Sequence, residues 1–108
     1  YFPLESGLLT GKIRQGQPVP EGTRLSNADT QKRFMDDQRL AIVEKLIAFA
    51  EGRGHTLLDL AFSWLLARPV VASVIAGATR PEQIHANAGA VGWQLSAADL
   101  AEIDTLLA

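Results

Sequence analysis

Several residues able to do chemistry gather around one turn. Residues 70–87 read VVASVIAGATRPEQIHAN. Pro81 has the fixed φ and missing N–H that suit a first helical position. Glu82 and Gln83 fill the first turn, and Ile84, Ala88 and Val91 supply an apolar stripe. The free N–H groups of that helix start sit beside the Thr79 hydroxyl and the Arg80 guanidinium. A hydroxyl, a guanidinium and a helix N-terminus at one place form a phosphate site. An ordinary strand-to-helix turn with a solvated arginine explains the same residues. On this stretch alone it is the simpler reading, because no multi-glycine fingerprint is present.

The other reactive residues carry blander readings. His55 and His85 lie far apart, without ligand spacing, and suit surface or capping positions. Asp36-Asp37 reads as a solvated helix turn rather than an acid–base pair. Trp64 and Trp93 suit packing, and Arg53 and Arg68 stand at helix ends, where cations favour the dipole. Arg24 could reach a phosphate or substrate from its loop, but solvation suffices for it. No G-x-S-x-G, P-loop or zinc motif occurs, and with no cysteine there is neither disulfide framework nor thiolate metal site.

The elements that must position these residues follow from punctuation and periodicity. Val70–Ala76 is apolar but for Ser73 and rich in β-branched residues, which suits a strand buried on both faces, as in a parallel sheet. Gly77 breaks it. Residues 1–9 begin strand-like, and Thr10 to Asp29, punctuated by Gly11, Gly16, Pro18, Pro20 and Gly22, reads as a long loop. Thr30 to Glu51 reads as one helix with Leu40, Val43, Leu46, Ile47 and Ala50 inward. Thr56 with Asp59 matches a capping box, opening a helix through Arg68 whose core face is Leu57, Leu60, Ala61, Trp64 and Leu65. Ser96 with Asp99 matches another, opening a terminal helix with Leu100, Ile103 and Leu107 inward.

Composition sets outer bounds. Nearly half of the 108 residues are hydrophobic, so the chain is no disordered tail. A net charge of −2 argues against a nucleic-acid partner. No apolar run approaches the ~20 residues of a membrane span, and the expected location is the cytoplasm. Two parallel strands cannot shield each other on both faces, so strands are missing. The expected fold class is α/β, the last two βα units of a (β/α)8 barrel, whose sites lie at the C-terminal ends of its strands. Beginning at Tyr1 inside a strand-like segment, the chain reads as a fragment of one such domain. Its parts are strand seven over 1–9, the loop over 10–29, helices over 30–69, strand eight over 70–76 and helices over 77–108.

Two motifs give this expectation a family. Residues 1–12, YFPLESGLLTGK, resemble the strand-seven segment of aldo-keto reductases. Residues 73–87, SVIAGATRPEQIHAN, resemble their strand-eight segment and the helix after it, and Ala61 to Leu66 before Pro69 also fits. The resemblance covers essentially the whole chain and implies an NADP-dependent oxidoreductase that interconverts aldehydes or ketones and alcohols. It implies that Tyr1 stacks on the nicotinamide and that Pro3, Leu4, Ser6, Gly7 and Leu8 wrap the pyrophosphate. Lys12 reaches the cofactor phosphates in the same way. By the same resemblance, Gly77, Thr79, Arg80, Gln83 and Asn87 match the pocket for the adenosine 2′-phosphate and adenine. This coincides with the phosphate reading of the Thr79-Arg80 turn and decides in its favour.

The sequence departs from the family pattern in three ways. Phe2 stands where serine is common and Ala86 where an acidic residue is common. The family's catalytic Asp, Tyr, Lys and His come from earlier strands, so no residue here is catalytic and the isolated chain is expected to be inactive. The expected partners are a carbonyl substrate and the N-terminal part of the barrel. A non-catalytic alternative is a cofactor-binding subunit like the potassium-channel β subunits. A stand-alone helical binding module is a third. The 10–29 loop is expected to close over bound dinucleotide as a clasp.

Overall fold

The computed structural model describes residues 3–108, with Phe34 by its backbone alone. Among the described residues, five α-helices carry the structure: α1 (Ala28–Phe34), α2 (Asp37–Glu51), α3 (Leu57–Leu66), α4 (Pro81–Gly89) and α5 (Ala97–Leu107). Short 3₁₀ turns occupy Glu5–Thr10, Arg24–Ser26 and Ala90–Gly92.

Four of the five α-helices start where a side chain takes up orphan N–H groups, and α4 starts at Pro81 without a side-chain cap. Asn27 accepts from Asp29 and Thr30 at the start of α1, and Asp36 from Arg39 at the start of α2. Both capping boxes form, Thr56 with Asp59 and Ser96 with Asp99. The single helix expected over Thr30–Glu51 is two helices. Met35 is extended (φ −106°, ψ 108°) and Asp36 opens a fresh start, its carboxylate accepting from the Arg39 N–H at 2.7 Å. Aspartate gains more from capping than from continuing a helix.

Val43, Leu46, Ile47 and Ala50 of α2 pack with Leu57 and Leu60 of α3 and Ile103 of α5. Leu8, Ile13 and Leu25, all outside the α-helices, complete this core. The 10–29 loop is therefore pinned: Ile13 is 2% exposed, Leu25 is fully buried, and Val19 packs between them in sequence. A carboxylate on α2 holds it as well. Glu44 accepts from Arg14 Nε at 2.9 Å, Arg14 Nη2 at 2.8 Å and the Gln15 N–H at 3.0 Å. The Arg14 hydrogen bonds first, then that of Gln15, lower the Glu44 pKa to about 2.

The C-terminal helix is tied down by arginine and aromatic contacts. Arg53 lies 3.7 Å over the Phe49 ring, and its guanidinium reaches Asp99 at 3.3 Å and Glu102 at 2.6 Å. The Ser96 backbone N–H, with Arg53 adding to it, lowers the Asp99 pKa. The His55 imidazole stacks on the Trp93 indole, centroids 4.1 Å apart and planes 3° from parallel. His55 Nδ1 is 3.5 Å from Asp59. Trp64 packs against the core, as expected, with Arg68 4.2 Å over its ring.

The two expected strands do not form among the described residues. Of residues 1–9, Tyr1 and Phe2 lie outside that range. From Pro3 the chain turns into the 3₁₀ segment, because Glu5, Ser6 and Gly7 take positive φ of 48°, 58° and 101° in succession. That left-handed run folds the chain back, with the Gly7 and Leu9 N–H groups both donating to the Leu4 carbonyl. Residues 70–76 have no regular structure, and Val70 and Ile75 are 93% and 75% exposed. A strand exists by exchanging backbone hydrogen bonds with a neighbour. No described residue supplies one. For the same lack of a covering layer, Ile84 and Val91 of the expected inward stripe are exposed at 60% and 55%.

Candidate functional site

A cleft of about 470 Å³ opens between the start of the chain, the 10–29 loop and the stretch leading into α4. Pro3, Leu4, Ser6 and Gly7 form one wall, continued by Thr10, Lys12 and Ile13. Gly22, Thr23, Arg24 and Leu25 come from the far end of the loop. Ile75 to Thr79, with Gln83, Ala86 and Asn87 from α4 and Leu58 from α3, close it. The segments that motif reasoning paired are thus neighbours, although 70 residues separate Gly7 from Gly77.

Local geometry explains each wall. The left-handed run at Glu5-Ser6 costs about 1–2 kcal/mol for each non-glycine residue, so the surrounding bonds must hold it. The Thr10 hydroxyl donates to the Gly7 carbonyl at 2.7 Å and accepts from the Lys12 N–H at 3.2 Å. Across the cleft, Gln83 Oε1 accepts from the Thr79 N–H at 2.7 Å and the Thr79 hydroxyl at 3.3 Å. A carboxamide oxygen thus occupies the Thr79 hydroxyl, one of the donors that the phosphate reading assigned to an anion. An anion arriving there replaces one oxygen acceptor with another.

The charge in the cleft is one-sided. Among the described lining residues, Lys12 and Arg24 carry positive charge and no carboxylate is present, although the chain as a whole is acidic. A Cβ built on Gly77 would lie 3.9 Å from Arg24 Nη2, so that guanidinium faces the strand-eight turn directly. Hydroxyls of Ser6, Thr10, Thr23 and Thr79 and the amides of Gln83 and Asn87 complete a donor-rich lining. Two cations and many neutral donors suit a phosphorylated ligand.

The expected site residues are therefore mostly brought together. Pro3, Leu4, Ser6, Gly7, Lys12, Gly77, Thr79, Gln83 and Asn87 all line the cleft. Leu8 does not. It is 4% exposed in the core and faces a separate apolar hollow of about 410 Å³ between α2, α3 and α5. Arg80 is exposed at the N-cap of α4, beyond the cleft lining. Tyr1 lies outside the described residues. Arg24, read as solvated, is exposed and also lines the cleft, with its Nη2 toward Gly77; the adjacent Leu25 is fully buried. Among the described residues, no group of His, Asp or Glu is placed to hold a metal ion, and no helix is long and apolar enough to cross a membrane.

The model of the aldo/keto reductase family matches residues 1–108. This chain belongs to the aldo/keto reductase family. Among similar proteins, L-glyceraldehyde 3-phosphate reductase of Escherichia coli O157:H7 is 34% identical over the whole chain and 32% of its own length. NADH-specific methylglyoxal reductase of Escherichia coli K12 is 35% identical over 92% of this chain and 30% of its own. A Schizosaccharomyces pombe protein named "Putative voltage-gated potassium channel subunit beta" is 39% identical over 99% of this chain and 33% of its own. This aldo/keto reductase chain spans about a third of the length of these curated relatives.

Proposed function

We propose that this chain is the cofactor-binding, C-terminal portion of an oxidoreductase barrel that reduces aldehydes or ketones with NADP(H). The observation that supports it best is the cleft itself, whose charged lining among the described residues is cationic, Lys12 and Arg24. In this reading Ser6, Gly7 and Lys12 hold the pyrophosphate, with Pro3, Leu4 and Arg24 around it. Thr79, Arg80, Gln83 and Asn87 hold the adenosine 2′-phosphate and adenine, Gly77 lets the chain pass close, and Tyr1 stacks on the nicotinamide. The donor set fits such a group, because hydroxyls, amides and two cations face one space without an opposing carboxylate.

When bound, the cofactor supplies the hydride that reduces a carbonyl carbon. This chain binds and orients it. The group that protonates the carbonyl oxygen belongs to the remaining two thirds of the barrel, as do the strands that pair with 1–9 and 70–76. The exposed Val70 and Ile75 support that pairing, since a barrel strand buries both faces. The chain alone accordingly has no turnover. The absence of a membrane-spanning helix among the described residues is compatible with action in the cytoplasm.

A second reading, a non-catalytic cofactor-binding subunit, draws support from the name of the S. pombe relative. The name of the methylglyoxal reductase keeps NADH in contention as the cofactor. One set of measurements separates these. NADPH and NADH are titrated against the full-length protein by fluorescence, and carbonyl-dependent NADPH oxidation is followed with small aldehydes. Tighter NADPH binding with turnover supports the reductase. Binding without turnover supports the regulatory subunit, and no dinucleotide binding overturns both.

A further inference from the structure

Lys12 is the cation carried by the near edge of the cleft, and its place in space is fixed from both sides. On one side its N–H donates to the Thr10 hydroxyl. On the other, the chain passes through Ile13, which is 2% exposed, and is then gripped by α2. The grip is a single carboxylate. Glu44 takes both arms of the Arg14 guanidinium and the Gln15 N–H, at 2.8–3.0 Å. Glu44 itself does not line the cleft. Its helix is rigidly seated, because neighbours Val43, Leu46 and Ile47 are in the core. Beyond Gln15 the chain makes an exposed turn, Gln17 N–H to the Arg14 carbonyl at 3.3 Å, before Val19 packs again.

An ordinary surface ion pair joins two flexible side chains and orders little. Here one partner is also bonded to a backbone N–H, and the other is forked, so the carboxylate fixes the main chain. We propose that Glu44 is a positioning residue for dinucleotide binding: by holding Arg14 and Gln15 it sets the backbone at Lys12, and so the reach of the Lys12 ammonium to the ligand's phosphates. This rests on the cofactor reading given above. Glu44 touches no ligand. It acts through the loop.

The test is NADPH titration of the full-length protein and its variants. Alanine is the most favourable residue within a helix, so Glu44→Ala leaves α2 intact. Glu44→Gln, which keeps the shape and removes the charge, is the second variant. Both Glu44→Ala and Arg14→Ala are expected to weaken NADPH binding about ten- to twentyfold, the low end of the scale of one charge-assisted hydrogen bond. The deciding variant is Lys12→Ala combined with Glu44→Ala, which is expected to bind no more weakly than Lys12→Ala alone. A loss of general stability would instead add to the Lys12 loss. Exchanging the pair, Arg14→Glu with Glu44→Arg, restores the ion pair but leaves the Gln15 N–H without its acceptor, and so recovers only part of the affinity. Unchanged binding by both Glu44 variants, or penalties that add with Lys12→Ala, overturns the proposal while leaving the cofactor reading in place. A wild-type protein that binds no dinucleotide overturns both.

Discussion

Two exposed arginines flank the strand-eight turn. Arg24 lines the cleft and faces Gly77, while Arg80 stands at the helix start outside that lining. If Arg80 serves the adenosine 2′-phosphate, Arg80→Ala weakens NADPH by about 1.5 kcal/mol, the low end for a hydrogen bond to a charged group, and leaves NADH unchanged. Equal losses for the two cofactors, measured by titration, exclude that role. Glu44 gives a second prediction at this scale. Its pKa falls from 4.5 to about 2 on folding. A depressed carboxylate stabilises the fold above its unfolded value, and that contribution disappears as pH falls through the folded one. Thermal melts of wild type and Glu44→Ala should therefore differ most above pH 4.5 and converge toward pH 2. A gap that persists at pH 2 contradicts it.

Individual elements were legible where one side chain decides them. Thr56-x-x-Asp59 and Ser96-x-x-Asp99 predict capping boxes, and both form with the expected reciprocal bonds. Thr56→Ala should cost about 1 kcal/mol in a thermal or urea melt, since it strands the Asp59 N–H; no loss would mean α3 is held by packing alone. The break at Asp36 was hidden because the apolar period runs on through it, and periodicity does not register a cap. Elements that depend on a neighbour were not legible as they stand. β-Branched composition marks 70–76 as strand-like, but forming a strand requires a partner backbone, and none of the described residues lies alongside. The 3–10 turn was missed because Glu5 and Ser6 adopt a left-handed conformation that their residue types do not announce. Most residues that the family resemblance assigned to one site do line one cleft, with Leu8 in the core and Arg80 beyond the lining as exceptions. Arg24 lines it as well, which its place in a long loop does not announce.

For the molecule as a whole, the loop is part of the core rather than a cover laid upon it. Leu25 is fully buried and Ile13 nearly so, with α2 and α3 on the other side. Leu25→Ala is expected to destabilise the fold by roughly 2–4 kcal/mol in urea, as for a core helix position. A cost below about 1 kcal/mol would show that the loop only rests on the surface. The clasp is correspondingly narrowed. Closure over a ligand can involve the exposed residues between Arg14 and Thr23, whereas both anchors stay in place. Hydrogen exchange with and without NADPH should show new protection within 15–23 and unchanged protection at Ile13 and Leu25. Protection identical in both states would make the whole loop a static connector.

The near-parallel stack of His55 on Trp93 gives the chain an optical readout. An indole stacked on another ring is shielded from water on that face, and its emission shifts when the partner leaves. The stack joins the segment after α2 to the segment before α5, so the same emission reports whether the C-terminal helix is seated. With Trp64 replaced by phenylalanine, the emission of Trp93 should hold its wavelength while the helix stays docked. A red shift would mark the helix lifting away and turn one ring pair into a gauge of docking.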